Sequence, residues 1–412
     1  MLKLEPARKP ATAASKHRFG LALAGGGPLG AFYEIGALQA IDEAFEGFDL
    51  TELDMYVGVS SGAMVAAGLA NGYDTADMGV VFIHNASLEF PVKPGLFIRP
   101  ALREYLARIA SVPSLSLDLL KQYLSDPGKG WAEAIIPLGR IVPNGLFDNR
   151  PMERFLADLF SGYGCTNDFR RLSSRLYVVA TDIDSGESVR FGEPGYDHVP
   201  ISLAIQASTA LPGLYPPVKI DGHTYVDGAL LRTMNASVLL ESGVDFLICM
   251  NPIVAFDAAA VKGRAGRDGK LDLARGGLLT VLSQTFRSMI QSRMQVGMAT
   301  YQARYPATDQ LLFEPDRTDP EMFFKNVFSY ADRKRLAERA YQRTRRDLLA
   351  AADELEPMLA RHGIALRRDL LRRRSSSFAT AVAERQRRLH PLTGTLHTAL
   401  DRLESGLRAL AS

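Results

Sequence analysis

The chain has 412 residues, 47% of them apolar and 23% charged, with a formal net charge of +2. That length and apolar content exclude a small disulfide-stapled module and predict one large α/β domain with appended helices. No run of about eighteen uninterrupted apolar residues is present, which excludes an ordinary membrane-spanning helix.

Residues Met1 to Lys16 are polar, basic and rich in Ala and Pro, without the apolar stretch and cleavage pattern of a secretory signal, so residues 1–17 are read as a flexible basic tail. Two cysteines, Cys165 and Cys249, give no disulfide framework, and a reducing cytoplasm fits them best.

The first predicted strand, Phe19 to Ala24, runs into Gly25-Gly26-Gly27-Pro28-Leu29-Gly30 and then into a helix marked by Phe32, Ile35, Leu38 and Ile41. Successive glycines beside a helix N-terminus let several backbone N–H groups converge on one anion. Two readings fit such a turn, the oxyanion site of a hydrolase and a dinucleotide-binding fingerprint. The second is disfavoured, because Asp42 and Glu43 fall inside the helix, where a ribose-binding carboxylate would close a second strand; Asp49 is nearer the right place.

A second strand-turn-helix follows: Asp54 to Gly58 leads into Gly58-Val59-Ser60-Ser61-Gly62 and an alanine-rich helix. A nucleophile elbow holds a serine out on a sharp strand-to-helix turn, and it needs small residues two before and two after, here Gly58 and Gly62. The competing reading is a glycine-rich helix start capped by Ser60.

From about 88 to 145 the pattern is helical but broken by prolines, among them Pro91, Pro94, Pro100, Pro113, Pro127 and Pro137, with Leu102, Tyr105, Leu106 and Ile109 at helix spacing. This insertion reads either as a cap over a site with an acyl-chain groove or as packed scaffold helices. Asp148 then caps a helix with Phe155, Leu156 and Leu159 facing inward. Later, Val218 to Ile220 and Thr224 to Val226 flank Asp221-Gly222-His223, a hairpin that delivers Asp227-Gly228-Ala229 onto a loop. An isolated Asp-Gly is more often a cap or turn than a catalytic group.

Cys249 lies in the apolar strand Asp245 to Met250, where a buried thiol is expected. Residues 261–277 read as an exposed loop, helix resumes at Leu278, and a short strand follows at Leu311 to Phe313. Residues 333–412 hold eighteen Arg and Lys against nine Asp and Glu, and the rest of the chain thirty against thirty-seven. This basic, leucine-bearing helical extension, densest at Arg367, Arg368, Arg372, Arg373 and Arg374, reads either as a peripheral contact with anionic membrane or as a tail packed on the acidic core. Few aromatics and no recognised module argue against nucleic acid.

The glycine-rich turn, the elbow, Leu176 to Asp182, Ala207 to Pro217 and Asp227-Gly228-Ala229 occur in the order seen in the patatin-like phospholipase family, which this chain resembles over roughly residues 18 to 255. The resemblance implies a three-layer α/β fold with a central, mostly parallel sheet and a catalytic domain over residues 18–332. It also implies a serine–aspartate dyad without a histidine: Ser60 as nucleophile, Asp227 as general base, and the amides of Gly25, Gly26 and Gly27 as oxyanion hole; the sequence itself offers no metal-ligand cluster, and no cofactor or metal is expected. The amide of Ser61 is a further donor by elbow geometry. Of the seven histidines none announces a triad, and His223 is expected to face solvent in its turn. The family commonly carries Arg or Lys where this chain has Leu29, which removes a cation from the loop. The expected activity is lipid ester hydrolysis of phospholipase A or lysophospholipase type through an acyl-serine. The alternatives are acyl transfer or thioester cleavage by the same dyad, and a lipid-binding scaffold without turnover.

Overall fold

A computed structural model of the chain describes residues 1–8, 17–87, 89–92, 94–102, 105, 144–261, 273, 277–319 and 332–385. The strands are β1 Leu2–Glu5, β2 Phe19–Leu23, β3 Phe45–Glu46, β4 Met55–Val59, β5 Arg175–Asp182, β6 Ser188–Phe191, β7 Val218–Ile220, β8 His223–Asp227, β9 Phe246–Met250, β10 Asp309–Phe313 and β11 Ala365–Leu366. The helices that build the layers are α1 Gly27–Ala44, α2 Ser61–Ala70, α3 Arg150–Leu159, α4 Ile201–Ser208, α5 Gly277–Arg304 and α6 Arg333–Ala350.

Nine strands form one sheet in the order β1, β10, β9, β2, β4, β5, β8, β7, with β6 also on β5. The five neighbours from β10 to β5 are parallel, and antiparallel pairs finish both sides. Every residue of β4 and β9 is buried, as parallel strands covered on both faces require. Alternate side chains feed separate cores: Leu21 and Leu23 enter one, Ala22 and Ala24 the other. Helices α1, α2, α3, α4 and α6 cover the first face; α5 and the short helix Ser237–Glu241 cover the second. The fold is therefore the expected three-layer α/β arrangement with a mostly parallel sheet.

A strand has two edges, and β5 uses both. Its Val178 to Thr181 pair with β6, while β4 pairs with Arg175 to Val179 and β8 with Ala180 to Asp182. Since β6 occupies one edge, β4 and β8 share the other. They run toward each other and stop side by side, Val59 opposite Val179 and Asp227 opposite Ala180.

One expectation changes, and the described part of the basic extension packs on the core, one of its two readings. The N-terminal tail is structured over Leu2–Glu5, which adds an antiparallel edge strand to β10, with Lys3 Nζ 2.6 Å from a Glu314 carboxylate oxygen. The described part of the basic extension is an integral layer of the fold. Helix α6 buries Leu336, Ala337, Ala340, Tyr341 and Leu348 against α1. The two backbones approach so closely that a Cβ on Gly36 would lie 2.2 Å from the Ala337 carbonyl oxygen. Two arginines of the extension are consumed in packing: buried Arg345 donates to the Tyr341 hydroxyl and to the Leu370 and Arg373 carbonyls, and Arg385 grips both oxygens of Asp77 at 2.8 Å, while Arg367, Arg372, Arg373 and Arg374 are exposed. Within the dense cluster, Arg368 pairs with Asp353 and Glu356. Most of the insertion at 88–145, the loop at 261–277 and residues 386–412 lie outside the described residues.

Helix α1 is enclosed on most sides, and this burial includes Glu34, whose two carboxylate oxygens have no hydrogen-bond partner. Burial raises its pKa well above the ordinary value. The folded state holds the proton while the unfolded chain releases it, so this group weakens folding as pH rises above the usual carboxylate range. Thermal unfolding of Glu34→Gln and wild type is expected to show the variant gaining on wild type between pH 5 and pH 8; a constant difference would mean that Glu34 ionises without cost. Gly36→Ala is expected to cost about 1–3 kcal/mol in urea unfolding, because the new methyl meets backbone that cannot yield cheaply. A change below about 0.5 kcal/mol would show the helices free to part.

Candidate active site

Both glycine-rich turns lie at the carboxyl ends of adjacent parallel strands, β2 and β4, where open α/β sheets form their ligand crevices. The elbow is sharp. Ser60 has φ 53° and ψ −124°, a region that residues with a side chain seldom occupy, and α2 begins at the next residue. Such a backbone costs of order 1–3 kcal/mol and persists only where the surroundings hold it. A Cβ on Gly58 would lie 2.4 Å from the Ala63 Cα, and one on Gly62 would lie 2.6 Å from the Leu23 carbonyl oxygen. The two small residues are thus required by contact, and the capping alternative fails because Ser60 makes no side-chain cap bond.

Ser60 Oγ donates directly to Asp227 Oδ2 at 2.7 Å, joining residues 167 positions apart. The other carboxylate oxygen accepts the Ala229 amide at 2.9 Å, so Gly228 and Ala229 turn the chain back to fasten the carboxylate. Asp227 closes β8 rather than sitting on a loop beyond it. Both side chains are buried, at 7% exposure for Ser60 and 3% for Asp227. Burial raises the Asp227 pKa to about 6, against the lowering effect of its hydrogen bonds from Ser60 and Ala229.

The glycine-rich turn lies against the elbow. A Cβ on Gly25 would be 2.9 Å from the Ser60 Cβ, and Gly27, at φ 61°, opens α1. One expected oxyanion donor is already engaged: the Gly26 amide donates to Ser61 Oγ at 2.9 Å and so serves to lock the two turns together. That leaves Gly25, Gly27 and Ser61 of the four expected groups. Leu29, which stands where a cation was expected, is buried in the core.

Two positioning residues were not singled out from sequence, although both lie in the stretches that carried the family resemblance. The Ser60 amide donates to Ser208 Oγ at 2.7 Å, and Ser208 Oγ donates in turn to the Val179 carbonyl at 2.6 Å. Thr181 Oγ1 donates to the Asp227 carbonyl at 3.2 Å. A hydroxyl beside the elbow was the available signal, but nothing in sequence says which of several serines the sheet will bring there.

His223 has 57% of its side chain exposed, with Nδ1 3.0 Å from Asp182 Oδ2. Sequence reading found no metal-ligand cluster, yet Asp182, Asp184 and His223 bring one ligand atom each within 4.8 Å of one another. The Asp182 carboxylate there already accepts the Asp184 amide and meets His223, bonds that account for the grouping without an ion. The N-cap of α3 is Asn149, and Asp148, expected there, lies one residue earlier and accepts the Arg150 amide at 3.0 Å; Leu156 and Leu159 are buried and Phe155 is half-buried.

The patatin-like phospholipase family model matches residues 21–240, from β2 through the short helix after β8. The chain belongs to the patatin-like phospholipase family. It is also 26% identical over 234 residues to uncharacterised NTE family proteins of Mycobacterium bovis and Mycobacterium tuberculosis, a match that covers 56% of this chain and 30% of those proteins. The chain therefore spans about a third of the length of these curated relatives. Among solved structures, VipD from Legionella pneumophila matches at 18% identity and a TM-score of 0.31, covering 63% of this chain and 55% of VipD. The type III effector ExoU matches at 16% identity and 0.27, covering 85% of this chain and 66% of ExoU. Scores this low leave the family match and the strand order as the grounds for the fold. Among the described residues of this patatin-like chain, no helix is long and apolar enough to cross a membrane.

Because the Ser60 hydrogen bond lowers the Asp227 pKa, Ser60→Ala is expected to move that carboxyl above its value of about 6. Carbon-13 NMR of aspartate-labelled protein reads the shift. A carboxyl that stays in place or falls would show that the hydroxyl does not donate to it.

Proposed function

We propose that this chain is a lipid acyl hydrolase that cleaves carboxylic esters, of phospholipase A or lysophospholipase type, through an acyl-serine intermediate. The observation that carries this reading is the direct 2.7 Å bond from an elbow serine to a desolvated aspartate. Membership of a family of lipid acyl hydrolases supports it.

Ser60 Oγ attacks the ester carbonyl carbon while Asp227 Oδ2 takes the hydroxyl proton. Serine is a far weaker acid than the aspartate, so a carboxyl raised to about 6 is a better base than an ordinary one and is still mostly ionised at neutral pH. The carbonyl oxygen gains negative charge, which the amides of Gly25, Gly27 and Ser61 stabilise; one such donor contributes roughly 3 to 4 kcal/mol in other hydrolases. With Leu29 in the core, this loop supplies dipoles and no cation. The tetrahedral intermediate collapses, the C–O bond to the alcohol breaks, and Asp227 returns the proton to the departing oxygen. A water then gives its proton to Asp227 and attacks the acyl carbon; the bond from that carbon to Ser60 Oγ breaks, the fatty acid leaves, and Asp227 returns the proton to Oγ, restoring Ser60. Ser208 holds the elbow amide so that Ser60 keeps its strained turn throughout.

The test is fatty-acid release from mixed phospholipids and from short p-nitrophenyl esters. Wild type is expected to turn over both. Ser60→Ala and Asp227→Asn are each expected to lose about a thousandfold or more in kcat, and a fluorophosphonate should mark wild type but not Ser60→Ala. Since the base acts when ionised, kcat/KM should fall about tenfold per pH unit below about 6 and level off above 7. A folded wild type that binds lipid, releases no fatty acid and escapes the fluorophosphonate would replace this reading with that of a lipid-binding scaffold.

A further inference from the structure

Helix α5 spans 28 residues, about 42 Å at 1.5 Å per residue, and is the long helix on its face of the sheet among the described residues. Its inner side is ordinary. Ile290, Gln291, Met294 and Met298 are buried, and the Gln291 Oε1 accepts the Ala255 amide at 2.8 Å. Its outer side inverts the usual pattern of a surface helix, which turns charges to water. Leu282, Met289 and Val296 are 54%, 53% and 67% exposed, and they recur every seven residues, so they form one stripe. Val281 extends it, and the intervening Thr285, Ser292 and Ala299 are exposed without being charged. Isolated exposed apolar residues are common; a stripe along one helix marks a surface that docks on something.

The charge along this helix says on what. Over its whole length α5 carries Arg287, Arg293 and Arg304 and no Asp or Glu, with Arg293 and Arg304 exposed. Two copies meeting through this face would bring arginines together with no carboxylate to answer them. A bilayer with anionic head groups answers both features, because the apolar stripe enters the acyl boundary as arginines meet phosphates. The location also fits. Arg293 Nη1 donates to the Leu230 carbonyl, in the turn Gly228–Leu230 that directly follows Asp227, and Leu231 beside it is 37% exposed.

We infer that the outer face of α5 is an interfacial docking surface that seats the patatin-like domain on anionic lipid membrane beside the Ser60–Asp227 site. This places a membrane contact on α5, apart from the C-terminal cluster, where Arg367, Arg372, Arg373 and Arg374 are exposed but no exposed apolar stripe accompanies them among the described residues. The inference rests on the lipid-hydrolase reading for its purpose but not for its test.

The triple variant Leu282→Asp, Met289→Asp, Val296→Asp is compared with wild type and Ser60→Ala in three measurements. These are cosedimentation with phosphatidylserine–phosphatidylcholine and with pure phosphatidylcholine vesicles, turnover of soluble p-nitrophenyl butyrate, and size-exclusion elution. Wild type and Ser60→Ala should bind anionic vesicles alike and prefer them to neutral ones. The triple variant should bind them about tenfold or more weakly while its circular dichroism and soluble-ester turnover match wild type. Binding by the triple variant equal to wild type, no vesicle binding by wild type, or a wild-type dimer that the substitutions convert to monomer would each overturn the proposal. Loss of vesicle binding in the triple variant, with no ester turnover by any protein, would uphold the surface and remove the hydrolase reading instead.

Discussion

One edge of β5 organises this molecule. Parallel β4 and antiparallel β8 add to that edge end to end, and because they run toward each other both stop at the same point. Whatever ends β4 must therefore meet whatever ends β8. In this chain those groups are Ser60 and Asp227, and their hydrogen bond follows from backbone pairing before any side-chain preference acts. The next layer of support uses the same strand. Val179, opposite Val59, accepts from Ser208, which holds the Ser60 amide, and Thr181 holds the carbonyl of Asp227.

Close backbone approach is the second constraint, and it explains the glycines better than conformational freedom does. The β2 and β4 turns touch through Gly25 and Gly62 with no room for a methyl between them, and the Gly26 amide to Ser61 Oγ bond ties them laterally. A strained serine persists because this packing leaves it nowhere to relax. The same closeness keeps water from Asp227, and desolvation is what raises its pKa toward the pH at which a carboxylate can act as base. Strain, desolvation and proximity are in this sense one property of the joint between two turns.

The two helical layers do different work. On the α1 side, Gly36 admits α6 to backbone contact, and buried Arg345 and the Arg385–Asp77 pair fasten the C-terminal helices down, so a segment that carries much of the positive charge becomes part of the scaffold. On the other side, α5 packs with one side and leaves an apolar stripe of Leu282, Met289 and Val296 exposed on the other, with no carboxylate along the helix. Net charge by segment could not separate these roles, because it counts arginines without saying which already have partners.

Much of the site was legible in the sequence, since its signals are local. A strand, a glycine turn and a helix, occurring twice, together with an Asp-Gly hairpin, are set by backbone sterics within a few residues of one another; Gly58, Ser60 and Gly62 stand where those rules put them, and Asp227 stands one element early, at the end of β8. Period-two and period-3.6 patterns likewise carried the layered α/β class, because each element must bury one face wherever its partner lies. What the sequence could not carry was partnership across distance. That Leu2–Glu5 joins the sheet, that Gly26 spends its amide on Ser61, that Ser208 rather than another serine braces the elbow, and that Arg345 of α6 faces inward all depend on which elements the fold brings side by side. Local rules decide what each segment can become. Only the tertiary structure decides which donor meets which acceptor, because a hydrogen bond reaches about 3 Å in space and has no fixed reach in sequence.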